Sequence, residues 1–463
     1  MPWDGLLRRT GPAAVSVAAL LLGGSASAAR ADVGDVCCVD LEARIEELEA
    51  TTSRKGNRKV SLELSGYLNE AIMYWNDGFE DNVYLVTNET ERSRINFEVE
   101  ARIAPKWSAG GILEIGVHAN REGQVDQNDA LSPPQSRIPD PRYANWWLKQ
   151  DDLGTLTVGR LKMATYHIVH IMLTETWYFA RYGIGTWVGA DGGGFFLRTT
   201  DGTLTDGPNA LRWGDINAHD PAAAPGEGER ANGIKLETAE VAGFMASAAY
   251  AGEGGADVAL RYTGDFGDVK LAAGIGYGQY WVRDIRRCAV VGGLDDVNCH
   301  DLGLSGTLMH VPTGLYVYGA FGLQRDLNVR ALFQAPVDNT DYAYYLQAGV
   351  ERKYIPAGKT TIFAEFEHDD VGAGVDPASG DILDTSALGP PGDPNYARMA
   401  ASTIDTWGLG IGQAVDEAAL ELYVSGRLFK ADVLTSATGL KDGAVNTPIE
   451  DFLMIVGGAK IDF

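Results

Sequence analysis

The chain has 463 residues, 45% of them hydrophobic, with 57 glycines, 19 tyrosines and 10 tryptophans. Its formal net charge of −25 argues against nucleic acid as a partner and leaves no basic surface for anionic lipid. With a mean hydropathy of −0.11 and, past the N-terminus, no run of about 20 apolar residues, helical membrane spans are excluded as well.

Residues 1–31 read as a secretory signal. Arg8 and Arg9 form a positive start, Ala13 to Leu22 an apolar core, and Ala29-Arg30-Ala31 a cleavage site, so the mature chain begins near Asp32. Cys37 and Cys38 lie too far past the apolar core for a lipoprotein signal, and their role stays open between free thiols and a cross-link between chains. Within a periplasmic segment, 32–58, the run from Asp40 to Thr52 is rich in helix formers. Leu41, Ile45 and Leu48 step by four and three, the seam of a short coiled coil. About two heptads are marginal alone, so a trimer contact and a solvated helix both remain open.

From 59 to 463 the pattern is strand after strand. Leu62, Leu64, Gly66 and Leu68 alternate with Glu63, Ser65, Tyr67 and Asn69. Phe97, Val99 and Ile103 alternate with Glu98, Glu100 and Arg102. A face carrying that much charge cannot pack in a dry core. Further strands follow near 107–120, 141–150, 153–161, 230–239, 242–252, 255–265, 268–283, 301–310, 313–324, 341–354, 358–370, 402–414, 416–430 and 451–463, about sixteen in all.

The spacing between strands alternates. Tight links fall around Pro105, Asp151-Asp152, Glu240, Gly267, Pro312, Pro356 and Asp416. Long pieces lie between them at 76–90, 121–140, 162–229, 284–300, 325–340, 371–401 and 431–450, and the link near Gly254 is the one short exception. Short turns on one side and long loops on the other predict an antiparallel transmembrane β-barrel. Its last strand carries Leu453, Ile455, Gly457, Ala459, Ile461 and Phe463 on one face, Lys460 and Asp462 on the other. Trp75, Trp107, Tyr250, Tyr262, Trp281, Tyr354 and Phe429 fall toward strand ends, as an interfacial girdle would.

The run from Cys37 to Leu62, the Leu153–Arg160 strand and the terminal Phe463 together resemble the alphaproteobacterial porin family of Gram-negative outer membranes. That resemblance covers the whole mature chain. It implies a homotrimer of all-β, sixteen-stranded barrels in the outer membrane, with both termini periplasmic, lipid bilayer and lipopolysaccharide outside, and small hydrophilic solutes and ions passing within.

The piece 162–229, after the fifth strand, matches in position the porin loop that folds inward and narrows the lumen. Carboxylates on it facing arginines on the wall would set a transverse field that polar solutes tolerate. The expected basic side is Arg92 and Arg94, whose inward facing the alternation supports. Arg142 and Arg160 resemble family wall positions, although the alternation leaves their facing open. Glu175 and Asp191 are the expected acidic side.

Cys288 and Cys299 are the candidate disulfide. No metal site is assigned: His167 and His170 with Glu175 read first as polar loop residues. The acidic loops with Asp295, Asp296, Asp369, Asp370 and Asp393 read as solvated charge, with calcium as the other reading. No nucleophile elbow, HExxH or phosphate loop is present, so no catalytic residue is assigned. The expected function is a general, cation-leaning diffusion channel. The alternatives are a substrate-specific channel using Tyr316, Tyr318, Tyr342, Tyr344 and Tyr345 as a track, and a structural or adhesive envelope protein; a secreted β-rich enzyme ranks below both.

Overall fold

The computed structural model describes residues 60–463 apart from 138, 181–192, 218–224, 253, 282–297 and 377–380. The signal, Cys37, Cys38, the seam of Leu41, Ile45 and Leu48, Cys288, Asp191, Asp295 and Asp296 lie outside the described residues.

Eighteen strands form one sheet among the described residues. They are β1 (Val60–Asn76), β2 (Asp81–Thr87), β3 (Arg94–Ala104), β4 (Trp107–Gly116), β5 (Asp140–Gln150), β6 (Gly154–Lys162), β7 (Arg230–Thr238), β8 (Phe244–Ala251) and β9 (Gly255–Asp265). Then come β10 (Val269–Tyr280), β11 (Cys299–His310), β12 (Leu315–Asp326), β13 (Thr340–Ile355), β14 (Gly358–Val371), β15 (Arg398–Val415), β16 (Leu420–Ser436), β17 (Val445–Pro448) and β18 (Phe452–Asp462). Each pairs antiparallel with its neighbours, and β18 closes on β1, from Tyr67 opposite Asp462 to Asn76 opposite Leu453. Closure leaves no open sheet edge, so the ladders pair backbone polar groups within the wall.

The eighteen strands make sixteen staves. Along one edge of β1, β2 pairs with Glu70–Asn76 and β3 with Val60–Tyr67. β2 and β3 therefore form a single stave, broken where 88–93 stands opposite Leu68 and Asn69. In the same way β17 and β18 share one edge of β16. The long loop expected at 76–90 is thus a tight turn followed by more strand. Asp77 makes that turn: its Oδ1 accepts from the backbone N–H of Phe79 at 3.1 Å and of Glu80 at 2.8 Å, and Gly78 takes φ +87°. The other expected strands appear with bounds shifted by a few residues, and the β8–β9 link is short as expected.

The apolar rows face outward. Leu64, Leu68 and Ile72 on β1, Leu409 and Ile411 on β15, and Ile455 and Ile461 on β18 are all exposed. The rows between them point in, where Asn69 and Met73 are fully buried and Lys460 nearly so. A band of exposed aliphatics around the whole wall is far larger than the patches a water-soluble protein carries. Hydrocarbon solvates it. Among the described residues no helix is long and apolar enough to cross a membrane, so the crossing belongs to the strands.

Candidate functional site

The inner wall is charged where β2 and β3 break apart. The interruption at 88–93 drops Glu89, Glu91, Arg92 and Ser93 into the barrel instead of onto the ladder. Arg94, the first residue of β3, points inward, ion-pairs with Glu91 and reaches Glu114 of β4 at 3.5 Å. Its guanidinium lies 4.9 Å from the centroid of the Tyr67 ring, and the Tyr67 hydroxyl donates to Glu91. Arg92 reaches Glu89 at 3.8 Å and Asp140 at 3.9 Å.

Arg142 joins this cluster through a bulge. The β4–β5 register shifts between Glu114 and Ile115, leaving Arg142 without an opposite residue. An unpaired bulge residue can be re-aimed. Its side chain turns in and its Nε donates to Glu114. Arg121 adds a fourth cation, its Nε 2.6 Å from Glu89. Arg92, Arg94 and Arg142 therefore stand together, with carboxylates among them.

Arg160 stands apart. It pairs with Ala144 and Asn232, two exposed positions, in the row of Leu156 and Val158. The adjacent tryptophans also resolve: Trp146 is exposed on the outer face, while Trp147 falls on the inner row.

From 163 to 180 the connection from β6 to β7 lies against the inner wall. Its start is capped by Asp257 of β9, which accepts from the backbone N–H groups of Ala164 at 3.0 Å and Thr165 at 2.8 Å. Ser305 donates to the Ile168 carbonyl at 2.7 Å, Thr307 to that of Ile171 at 2.7 Å, and Tyr318 to that of Val169. Ile168 and Val169 pack with Tyr280, Tyr318, Tyr345 and inward alanines of β7–β13 in one apolar cluster. Tyr316, Tyr318 and Tyr345 are buried inside, whereas Tyr342 and Tyr344 fall on the outer row, so the five form no open track.

The chain then passes from β13 toward β1. Glu175 donates its backbone N–H to Glu351 at 3.0 Å, and its carboxylate meets Lys359 at 3.4 Å. Thr176 bonds Gln347 at 3.2 Å, and Asn88 donates to the Tyr178 carbonyl at 3.0 Å. Arg427 of β16 donates to the Phe179 carbonyl at 2.7 Å while its Nε holds Glu365 at 2.8 Å. Glu365 lies over Gly408, where a Cβ would come within 2.3 Å of its Oε1. Trp177 ends edge-on to Tyr67 at 6.5 Å, beside the arginine cluster.

Farther along, Phe195, Leu197, Leu211, Trp213 and Ile216 fill the barrel near the long-loop end against Trp75, Phe429, Phe452 and Met454. In the turn holding Trp213, Asp215 accepts from the Arg212 backbone N–H at 2.7 Å. Burial pushes its carboxyl up to about 6.

His167 and His170 stack at 5.1 Å, and His170 reaches Glu227 at 3.4 Å. Burial holds the His167 imidazole well below its ordinary value. Among the described residues no three or more His, Cys, Asp or Glu side chains converge on a metal position. Cys299 is fully buried at the start of β11.

Glu89, Glu91, Glu114, Asn88, Asp257, Glu365 and Arg427 are the residues that sequence reasoning missed. The signal for the first of them is the charged run Asn88-Glu-Thr-Glu-Arg-Ser between two alternating stretches. The others are ordinary inward polar positions until their partners are known.

A closed antiparallel barrel, oily outside and charged within, is an outer-membrane channel for passive diffusion. The chain belongs to the Gram-negative porin family, whose model matches residues 14–430. In fold it is similar to an anion-selective porin from Comamonas acidovorans, at 15% identity and TM-score 0.53, covering 87% of this chain and all of that one. OmpF of Salmonella typhi, in complex with daunomycin, matches at 14% identity and TM-score 0.49, over 89% of this chain and all of that one. OmpT of Vibrio cholerae, an outer membrane protein, matches at 12% and 0.48, over 88% of this chain and 99% of that one. No curated protein matches the chain.

Proposed function

We propose that the chain is a general porin for small hydrophilic solutes and ions, and not an enzyme, narrowed by its 162–229 connection. The observation that carries this reading is the set of ties from Asp257, Ser305, Gln347, Arg427 and Asn88, which hold the connection to the inner wall. A segment fixed there takes up lumen that sixteen staves would otherwise leave open. The inner faces of β3–β7 keep exposed charge at Glu98, Glu100, Arg102 and Lys149, so an aqueous path runs beside them.

Arg92, Arg94 and Arg142 form the basic side of the passage, with Glu175 across from them and Asp191 on the same connection. The net charge of −25 favours cations overall. The short turns lie in the periplasm with both termini, the long loops face the lipopolysaccharide, and three copies assemble. Single-channel recording in planar bilayers tests the reading: stable ohmic steps that shrink with solute size are expected, and a protein that never conducts refutes it.

A further inference from the structure

Below the arginine cluster, the inner wall of β3–β7 holds a hollow of about 470 Å³. Its floor is Trp147. The indole covers Gly110, where a Cβ would sit 2.4 Å from its Cζ2 and 2.6 Å from its Cε2. Trp147 is half-buried and lines the hollow, and among the described residues no other aromatic ring stacks on it. Lipid gives no reason for this placement, because its neighbour Trp146 is the residue on the outer face. An indole face left toward water is a stacking platform.

The rim is basic. Lys149 and Lys162 line the hollow and form no ion pair among the described residues. The Lys162 ammonium instead stands 5.1 Å from the centroid of the Tyr143 ring. Lys235 is matched by Glu237 at 3.1 Å, and Glu100 is the second carboxylate on the rim. Three ammonium groups thus face two carboxylates, and the two free ammoniums flank the platform.

We infer that this hollow is a binding subsite for a small anionic solute with a flat ring face, the ring stacking on Trp147 and the anion meeting Lys149 and Lys162. The volume suits a monocyclic solute. Aromatic carboxylates and sugar phosphates share this chemistry. The inference deepens the channel reading and rests on it: a weak stop in the lumen concentrates such solutes without setting the preference among simple ions.

The test is current block in planar bilayers containing the full mature protein. Benzoate and glucose 6-phosphate are the probes, with benzyl alcohol and glucose as uncharged controls. Saturable block by at least one anionic probe, absent with its uncharged counterpart, is expected. Which probe blocks assigns the ring as aromatic or sugar. Trp147→Ala should raise the half-blocking concentration about fivefold, and Lys149→Ala about threefold. Lys430→Ala, at the long-loop end, should leave block as it is. Conducting channels whose block is linear, equal for the controls, or unchanged in both hollow variants overturn the subsite while leaving the channel standing. Protein that forms no channels overturns the channel reading instead.

Discussion

Arg427→Met should release the segment 174–180 from the wall. Arg427 and Glu365 are both buried and sit 2.8 Å apart. At an effective dielectric near 20 their gross attraction is about 6 kcal/mol, most of it offset by desolvation. Removing one member of such a pair leaves the other charge buried and costs about 3–5 kcal/mol. The same substitution frees the Phe179 carbonyl. The segment's other ties are hydrogen bonds to Glu351, Gln347 and Asn88, each worth about 1 kcal/mol where neutral, the half-exposed Glu175–Lys359 pair, and the packing of Tyr178 and Phe179. The bond to the Phe179 carbonyl has a charged donor and is worth about 1.5–3 kcal/mol, which makes it the strongest hydrogen bond of the segment to an uncharged partner, whereas the pair with Glu365 joins two staves of the wall. The expected result in planar bilayers is a larger unitary conductance with added open-state noise. Combining Arg427→Met with Glu365→Gln should restore part of the loss, because the orphaned charge is gone. Wild-type conductance and noise in Arg427→Met, or strict additivity in the double variant, refutes the reasoning.

Arg94→Ala leaves Glu91 and Glu114 less compensated and should shift the reversal potential under a salt gradient toward cations; an unmoved potential removes Arg94 from the selectivity of the pore. Asp215 has a folded-state value of about 6 against an ordinary 3.8, so its packed turn is favoured by acid and loses that support as pH climbs through about 6. The loss amounts to about 3 kcal/mol at neutral pH. Protease protection of 193–217 should therefore fall between about pH 4 and 6, and Asp215→Asn should flatten the profile. Cys288 and Cys299 should appear as one linked peptide in non-reducing mass mapping. Cys299→Ser should then cost about 2–4 kcal/mol of stability, whereas equal melting of variant and parent removes the link.

The barrel was legible because lipid writes a simple rule into sequence. With hydrocarbon outside and water inside, alternation survives in nearly every stave, and Leu64, Leu68 and Ile72 opposite Asn69 and Met73 is one example. The alternation of tight turns and long links was legible for the same reason: each pair of strands crosses and returns. What failed to show was length along a stave. β2 lies in a stretch that reads as loop because Asn88–Ser93 breaks the period between it and β3. The facing of Arg142 was hidden by a single extra residue in β5, which no period-two count detects. The tyrosines of β12 and β13 looked like a solute track because a sequence does not show that another segment covers Tyr318 and Tyr345 while Tyr344 faces out.

The charges of the lumen carry a further lesson. A count of inward arginines predicts a strong transverse field, yet Arg92, Arg94, Arg121 and Arg142 share Glu89, Glu91, Glu114 and Asp140 within one cluster. Close pairs cancel at a distance beyond their own separation, more so across water containing salt. The field felt by a passing solute then comes mainly from groups of both signs without a near partner, among them Glu98, Glu100, Lys149 and Lys162. Glu175 and Glu351 share the single Lys359, at 3.4 and 3.1 Å, so a net negative charge remains on that side. A substitution inside the cluster therefore acts by unmasking its partner, and Arg94→Ala moves selectivity through the carboxylates it leaves behind rather than through the cation it removes.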